Sequence, residues 1–211
     1  PSFDTYSREE LYRFMEWESR AAEPGVVCHL PAIRSRNGNI AEGWLIGVPY
    51  GGREIMGSCR EEAVDAIRKA VDIGRDLGAG IIGLGALTSV VTRGGRSVMG
   101  RGVAITSGNS FTTLMAMEAL AAGASKMKIN LEQARGAVVG ATGSIGRACA
   151  VMLSEQIANI TLLGNPAHIK SSQNRLNSLV ADLLSWAWQR CQQGSLSGLA
   201  AWVDSALKTG A

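Results

Sequence analysis

The chain has 211 residues, with 26 glycines, 5 prolines, 46% hydrophobic and 18% charged side chains, and a formal charge of +3. Average composition would give about 15 glycines at this length. The glycines show no collagen period, the apolar content is too high for a disordered tail, and the small positive excess lacks the basic stripe that nucleic acid needs. A soluble globular chain is expected, with many tight turns and close backbone approaches. The polar N-terminus shows no signal peptide, and no run of 18 apolar residues offers a membrane span. Cys28, Cys59, Cys149 and Cys191 form no CxxC pair and no metal-spaced cluster, so reduced thiols in the cytoplasm and no metal are expected.

In chain order, residues 7–22 predict an amphipathic helix, with Ser7 and Glu10 spaced as a capping box and Pro24-Gly25 as its stop. Two apolar segments, 26–33 and 40–50, flank Asn37-Gly38 and predict a β-hairpin. Residues 59–77 follow a helical period with Gly78 behind them. Residues 79–91 predict a buried strand and a glycine-rich turn, and 102–108 another strand. Arg93, Arg96 and Arg101 between them are either a solvated loop or an anion-attracting patch. Residues 109–124 are almost wholly apolar and predict a helix buried on most sides, with Glu118 held by its packing neighbours. A polar connection follows, and a domain boundary near 130 is expected.

Beyond it, the sequence shows strand, glycine turn, helix and strand, then helices over 169–192 and 197–208. The fold expected is α/β: a small N-terminal α/β substrate-side domain over 1–130, then an incomplete Rossmann-like domain over 131–211. The chain starts at Pro1 and stops at LKTGA while the second pattern still wants strands, so a fragment is expected.

The sharpest motif is Gly140, Thr142, Gly143, Ser144, Ile145 and Gly146, a GxxGxxG after the apolar run 137–139. Glycines there let the backbone turn sharply and meet a pyrophosphate, while the helix start supplies free N–H groups. The second strand ends in Gly164-Asn165 without the acid that would take a ribose 2′-hydroxyl. Asn165, with Lys170 nearby, then favours a 2′-phosphate and hence NADPH. A second pair of polar strand ends, Thr88-Ser89 and Ser107-Gly108-Asn109, is the candidate substrate-binding set. Cys149 and Cys191 fit core packing, Cys59 sits at a helix start, and Cys28 and His29 point to opposite strand faces. No catalytic residue is assigned.

The order GLGALTSVV, ITSGNSFTTLMAMEAL, ARGAVVGATGSIG and NITLLGN resembles the long-chain acyl-[acyl-carrier-protein] reductase family, which forms fatty aldehydes. The resemblance covers residues 40–165 and matches family segments with Gly83–Ser89, Ser107–Ser110 and Gly140–Gly146. It implies NADPH-dependent reduction of a fatty acyl thioester, carried on acyl carrier protein or CoA, through a cysteine outside this chain. It also implies a full-length oxidoreductase of lipid metabolism, and a homo-oligomer is an open expectation. The alternatives are an NADP-dependent dehydrogenase of a small polar acid, of the shikimate or methylene-tetrahydrofolate kind, and a non-catalytic dinucleotide-binding subunit.

Overall fold

The computed structural model describes residues 5–57 and 59–209. Within them the topology alternates α and β, consistent with a generic Rossmann-like dinucleotide-binding fold. Internal contacts divide the chain into a first unit ending at Gly108 and a second beginning at Asn109. The expected boundary near 130 falls inside the second unit, between α5 (Asn109–Lys126) and β5 (Arg135–Val139).

The first unit opens with α1 (Arg8–Ala21). Ser7 accepts from the Glu10 N–H, and the Glu10 carboxylate accepts from the Ser7 N–H at 2.8 Å, a complete capping box. The hairpin follows as β1 (Gly25–Arg34) and β2 (Ile40–Gly47), antiparallel, with Gly38 at φ 82° in the turn. Its register slips between Leu30 and Ile33. Pro31 lies there, and without an N–H it cannot continue the ladder.

A short helix α2 (Gly52–Met56) leads to α3 (Arg60–Asp76). Ala63, Ala66, Ile67, Ala70, Val71 and Gly74 form the buried face of α3, as the helical period predicts. Of the run 79–91, only β3 (Ile81–Gly83) is strand; its end turns into the four-residue helix α4 (Thr88–Val91). β4 (Ala104–Thr106) pairs parallel with β3, Gly83 opposite Thr106. Ile55, Ala63, Ile67, Val71, Leu84, Val91 and Val98 make the core of this unit.

The loop between α4 and β4 is tied to α3 through Asp72, which accepts from Arg101 Nε at 2.9 Å, from Arg101 Nη2, and from Arg75 at 2.8 Å. Arg101 is therefore engaged in an ion pair, which removes it from the anion-attracting patch. The Arg101 hydrogen bond is the largest influence holding the Asp72 carboxyl below its ordinary range; burial opposes it and the charges of Arg101 and Arg75 add to it. Asp72 thus stabilises the fold above the ordinary carboxylate pKa, and this contribution disappears as the pH falls through its lower folded value. Asp72→Asn is expected to lower the Tm at pH 7, with the difference from wild type fading towards pH ~2 as both carboxyl states converge. Thermal denaturation across pH checks it.

The second unit begins with α5. Its apolar composition predicts burial on most sides, yet only Thr113, Met117 and Ala124 are buried, while Phe111, Leu114, Met115 and Leu120 are exposed. Glu118 is likewise exposed, not enclosed. An almost uniformly apolar helix carries no stripe to show which side packs. β5 and β6 (Asn159–Leu163) pair parallel in register from Arg135 opposite Asn159 to Val139 opposite Leu163. α6 (Ser144–Ser154) crosses between them, and α7 (Ile169–Gln192) and α8 (Gly198–Thr209) complete the unit. Val138, Ala150, Leu153, Ile157, Leu179 and Leu183 form its core. The other side of this sheet is bare: Ala137, Val139, Thr161 and Leu163 are exposed, Val139 to 81%.

Candidate functional site

The glycine turn has the geometry that its spacing predicts. Gly140 leaves β5 at φ 76°, a conformation that favours glycine. Its N–H and that of Ala141 both donate to the Leu163 carbonyl, at 2.9 and 3.0 Å, locking the turn to the end of β6. The Gly143 N–H donates back to the Gly140 carbonyl at 2.9 Å. At Gly146, an added Cβ would overlap the Gly140 carbonyl oxygen and stand 2.8 Å from its carbon. The third glycine therefore lets α6 lie directly on the turn.

Gly143 is the N-cap of α6 and supplies no side-chain cap. The first N–H groups of the helix, at Ser144, Ile145 and Gly146, lie beyond the reach of intrahelical carbonyls and carry the positive end of the helix dipole. Asn109 Nδ2 donates to Ser144 Oγ at 2.8 Å, so Ser144 is fixed as an acceptor from Asn109 and keeps its own proton to donate. Arg147, one turn in, pairs with Asp182 on α7. Thr142 is partly buried and Gly143 and Ser144 are exposed, leaving the turn open to a ligand.

The expected substrate set divides between the units. Thr88 and Ser89 open α4; the Thr88 hydroxyl donates to the Gly85 carbonyl at 2.6 Å. Ser107 and Gly108 end the first unit, with Gly108 at φ 71° and its N–H donating to Thr106 Oγ1 at 3.1 Å. The parallel pairing of β3 and β4 places residues after Gly83 and after Thr106 at one end of that sheet. Asn109 belongs to the second unit, where it meets Ser144. Asn165 Oδ1 accepts from the Ala167 N–H at 2.9 Å and caps the short turn Pro166–His168.

None of the four cysteines is in a disulfide, and Cys149 packs against the second core. Cys28 is exposed with its thiol directed at the His29 carbonyl at 3.6 Å. Among the described residues, no three His, Cys, Asp or Glu side chains gather as a metal site, and no helix is long and apolar enough to cross a membrane.

One group was not visible in the sequence motifs. His29 Nε2 lies 2.7 Å from Glu42 Oε1, and the His29 ring stacks on Trp44 with centroids 5.5 Å apart and planes 14° from parallel. Glu42 and Trp44 border a half-open cavity of about 590 Å³ in the first unit, walled by β2, α3 and the β3–α4 segment. Tyr50 also lines it, and burial is the main influence pushing its phenol above the ordinary range.

No protein-family model matches the chain. Over 166 residues, 78% of its length, it is 31% identical to a curated protein named aminotransferase PigE, from Serratia sp. (strain ATCC 39006). The matched stretch is 18% of that relative's length. This likeness corrects the resemblance drawn from GLGALTSVV, TSGNS and GATGSIG: the curated relative is an aminotransferase, not an acyl-[acyl-carrier-protein] reductase. With it go the expectations of acyl-thioester reduction to an aldehyde, of an NADP-dependent oxidoreductase of either kind, of NADPH, and of acyl carrier protein or CoA thioester partners.

Aminotransferase chemistry calls for pyridoxal phosphate on a lysine, with an acid or arginine at the ring nitrogen. The lysines present do not fit the anchoring role. The five lysines, Lys69, Lys126, Lys128, Lys170 and Lys208, are all exposed, Lys69 is paired with Glu23 and Lys208 with Asp204, and none lines the cavity.

Proposed function

We propose that the chain is an α/β region of a larger aminotransferase-type protein, which moves an amino group between an amine and a carbonyl compound. The 31% identity to the Serratia aminotransferase over 166 residues carries this reading. The lysine that anchors the cofactor comes from outside these 211 residues, because each of the five here is exposed. The second unit is then part of a wider Rossmann-like sheet, a reading supported by the bare side of β5–β6, since parallel sheets are normally covered on both faces.

In that protein the turn of Gly140, Thr142, Gly143, Ser144, Ile145 and Gly146 holds a phosphate group. The uncapped N–H groups and the Ser144 hydroxyl, steadied by Asn109, support this role. Thr88, Ser89, Ser107 and Gly108 face the substrate side.

Borohydride reduction after incubation with pyridoxal phosphate tests the location of the lysine. Mass spectrometry is expected to find only scattered, substoichiometric pyridoxyl-lysine across the exposed lysines. Stoichiometric labelling of a single lysine would place the anchoring residue within this chain and overturn the assignment.

A further inference from the structure

The ladders β1–β2 and β3–β4 do not join. The cavity of about 590 Å³ borders both β2 and the β3–α4 segment, with α3 contributing Ile67, Ala70, Val71 and Gly74 to its wall. Gly74 permits this packing, for a Cβ there would stand 2.8 Å from Ile82 Cδ1 and 3.3 Å from Ile46 Cδ1. The volume and the predominantly apolar lining are those of a small-molecule site.

Its polarity is one-sided. Among the described residues that line it, Glu42 is the one charged side chain, and there is no Lys, Arg or His. Trp44 stands beside Glu42 on the same strand face, two residues on. His29 holds both, through its 2.7 Å bond to Glu42 Oε1 and its stack on Trp44. That bond uses one carboxylate oxygen, and an ionised carboxylate has further lone pairs to offer.

We propose that this cavity binds a primary alkylammonium amphiphile, with its chain on the apolar wall and its ammonium group between the Glu42 carboxylate and the Trp44 ring. A cation gains from both the charge and the face of the indole. A carboxylate or phosphate head would meet the Glu42 carboxylate with no Lys or Arg in the described lining to compensate it. The site shares no residue with the glycine turn and only Thr88 with the substrate-side set; the proposal rests on Glu42 and Trp44 at the other wall, so its failure and that of the aminotransferase reading are distinguishable.

The test uses the intact 211-residue chain at pH 7.5, with decylammonium, decanoate and decanol below their micellar concentrations, followed by isothermal titration calorimetry. Decylammonium is expected to bind about fivefold more tightly than decanoate, given the half-exposed carboxylate. In Glu42→Gln that preference is expected to fall to about one, with decanol affinity unchanged. Equal affinity of wild type for decylammonium and decanoate overturns the charge assignment, and no binding of any of the three overturns the cavity as a ligand site. The wild-type comparison decides the matter even where the variant folds poorly.

Discussion

Gly146→Ala is expected to destabilise the second unit by about 3 kcal/mol, at the upper end of what overpacking costs. The new Cβ would overlap the Gly140 carbonyl oxygen and crowd its carbon at 2.8 Å and Ala141 Cα at 3.1 Å. All three are backbone atoms of a turn pinned by two hydrogen bonds to Leu163, so no side chain can swing aside. Relief requires α6 to move off the turn, which loosens its contact with the core at Ala150 and Leu153. Gly143→Ala is the control. Its Cβ would stand 3.4 Å from the Gly140 oxygen, and the residue has φ −85°, which any residue adopts. That change is expected to cost under about 1 kcal/mol. Urea denaturation followed by tryptophan emission measures both, and equal midpoints for the two variants would show that α6 does not rest on the turn. Trp186, Trp188 and Trp202 report from the second unit.

Leu179→Ala is expected to cost about 3–4 kcal/mol, within the range for emptying a leucine site in a packed core. Leu179 is fully buried and packs in the cluster of Val138, Leu153, Ile157 and Leu183. It joins α7 to the sheet and to α6, so the cavity left behind is bounded by three elements and collapses poorly. Leu184, five residues on, is 40% exposed, and its replacement by alanine is expected to cost under about 1 kcal/mol. With total stabilities commonly about 5–15 kcal/mol, the first change alone consumes a large share. Similar losses at the two positions would contradict the burial described for α7.

Local signals with a stereochemical cause were legible. Ser7 and Glu10 form their capping box, Asn37-Gly38 makes the hairpin turn, and Gly140, Gly143 and Gly146 make the turn that their spacing predicts. Features set by tertiary context were not. The run AGIIGLGALTSVV predicts a strand and a glycine-rich turn; Ile81–Gly83 is strand and the chain turns after it, but nothing in the run announces the helix α4. The apolar composition of α5 says nothing about which face finds a neighbour.

The His29–Glu42–Trp44 group shows the limit most clearly. Near the turn, Arg34 pairs with Ile40 and Ile33 with Ala41, a register that would bring His29 opposite Leu45. The irregularity at Pro31 shifts the pairing by one, so that His29 meets Trp44 instead. A motif search along the chain cannot see a contact created by one bulge. The resemblance to acyl-thioester reductases misled for a related reason: a glycine turn after a strand reports backbone geometry shared by many chemistries.

The proposed phosphate role of the turn at Gly140–Gly146 is open to direct measurement. Isothermal titration calorimetry of the intact chain with ADP-ribose, inorganic pyrophosphate and pyridoxal phosphate tests it most directly, with Ser144→Ala beside wild type. Saturable binding of at least one of the three is expected, weakened about threefold to tenfold in Ser144→Ala by loss of a hydrogen bond to a charged group. ADP-ribose as the tightest ligand would indicate a nucleotide, and pyridoxal phosphate as the tightest a cofactor shared with the rest of the protein. Absence of binding by all three, or equal binding by wild type and Ser144→Ala, would contradict it.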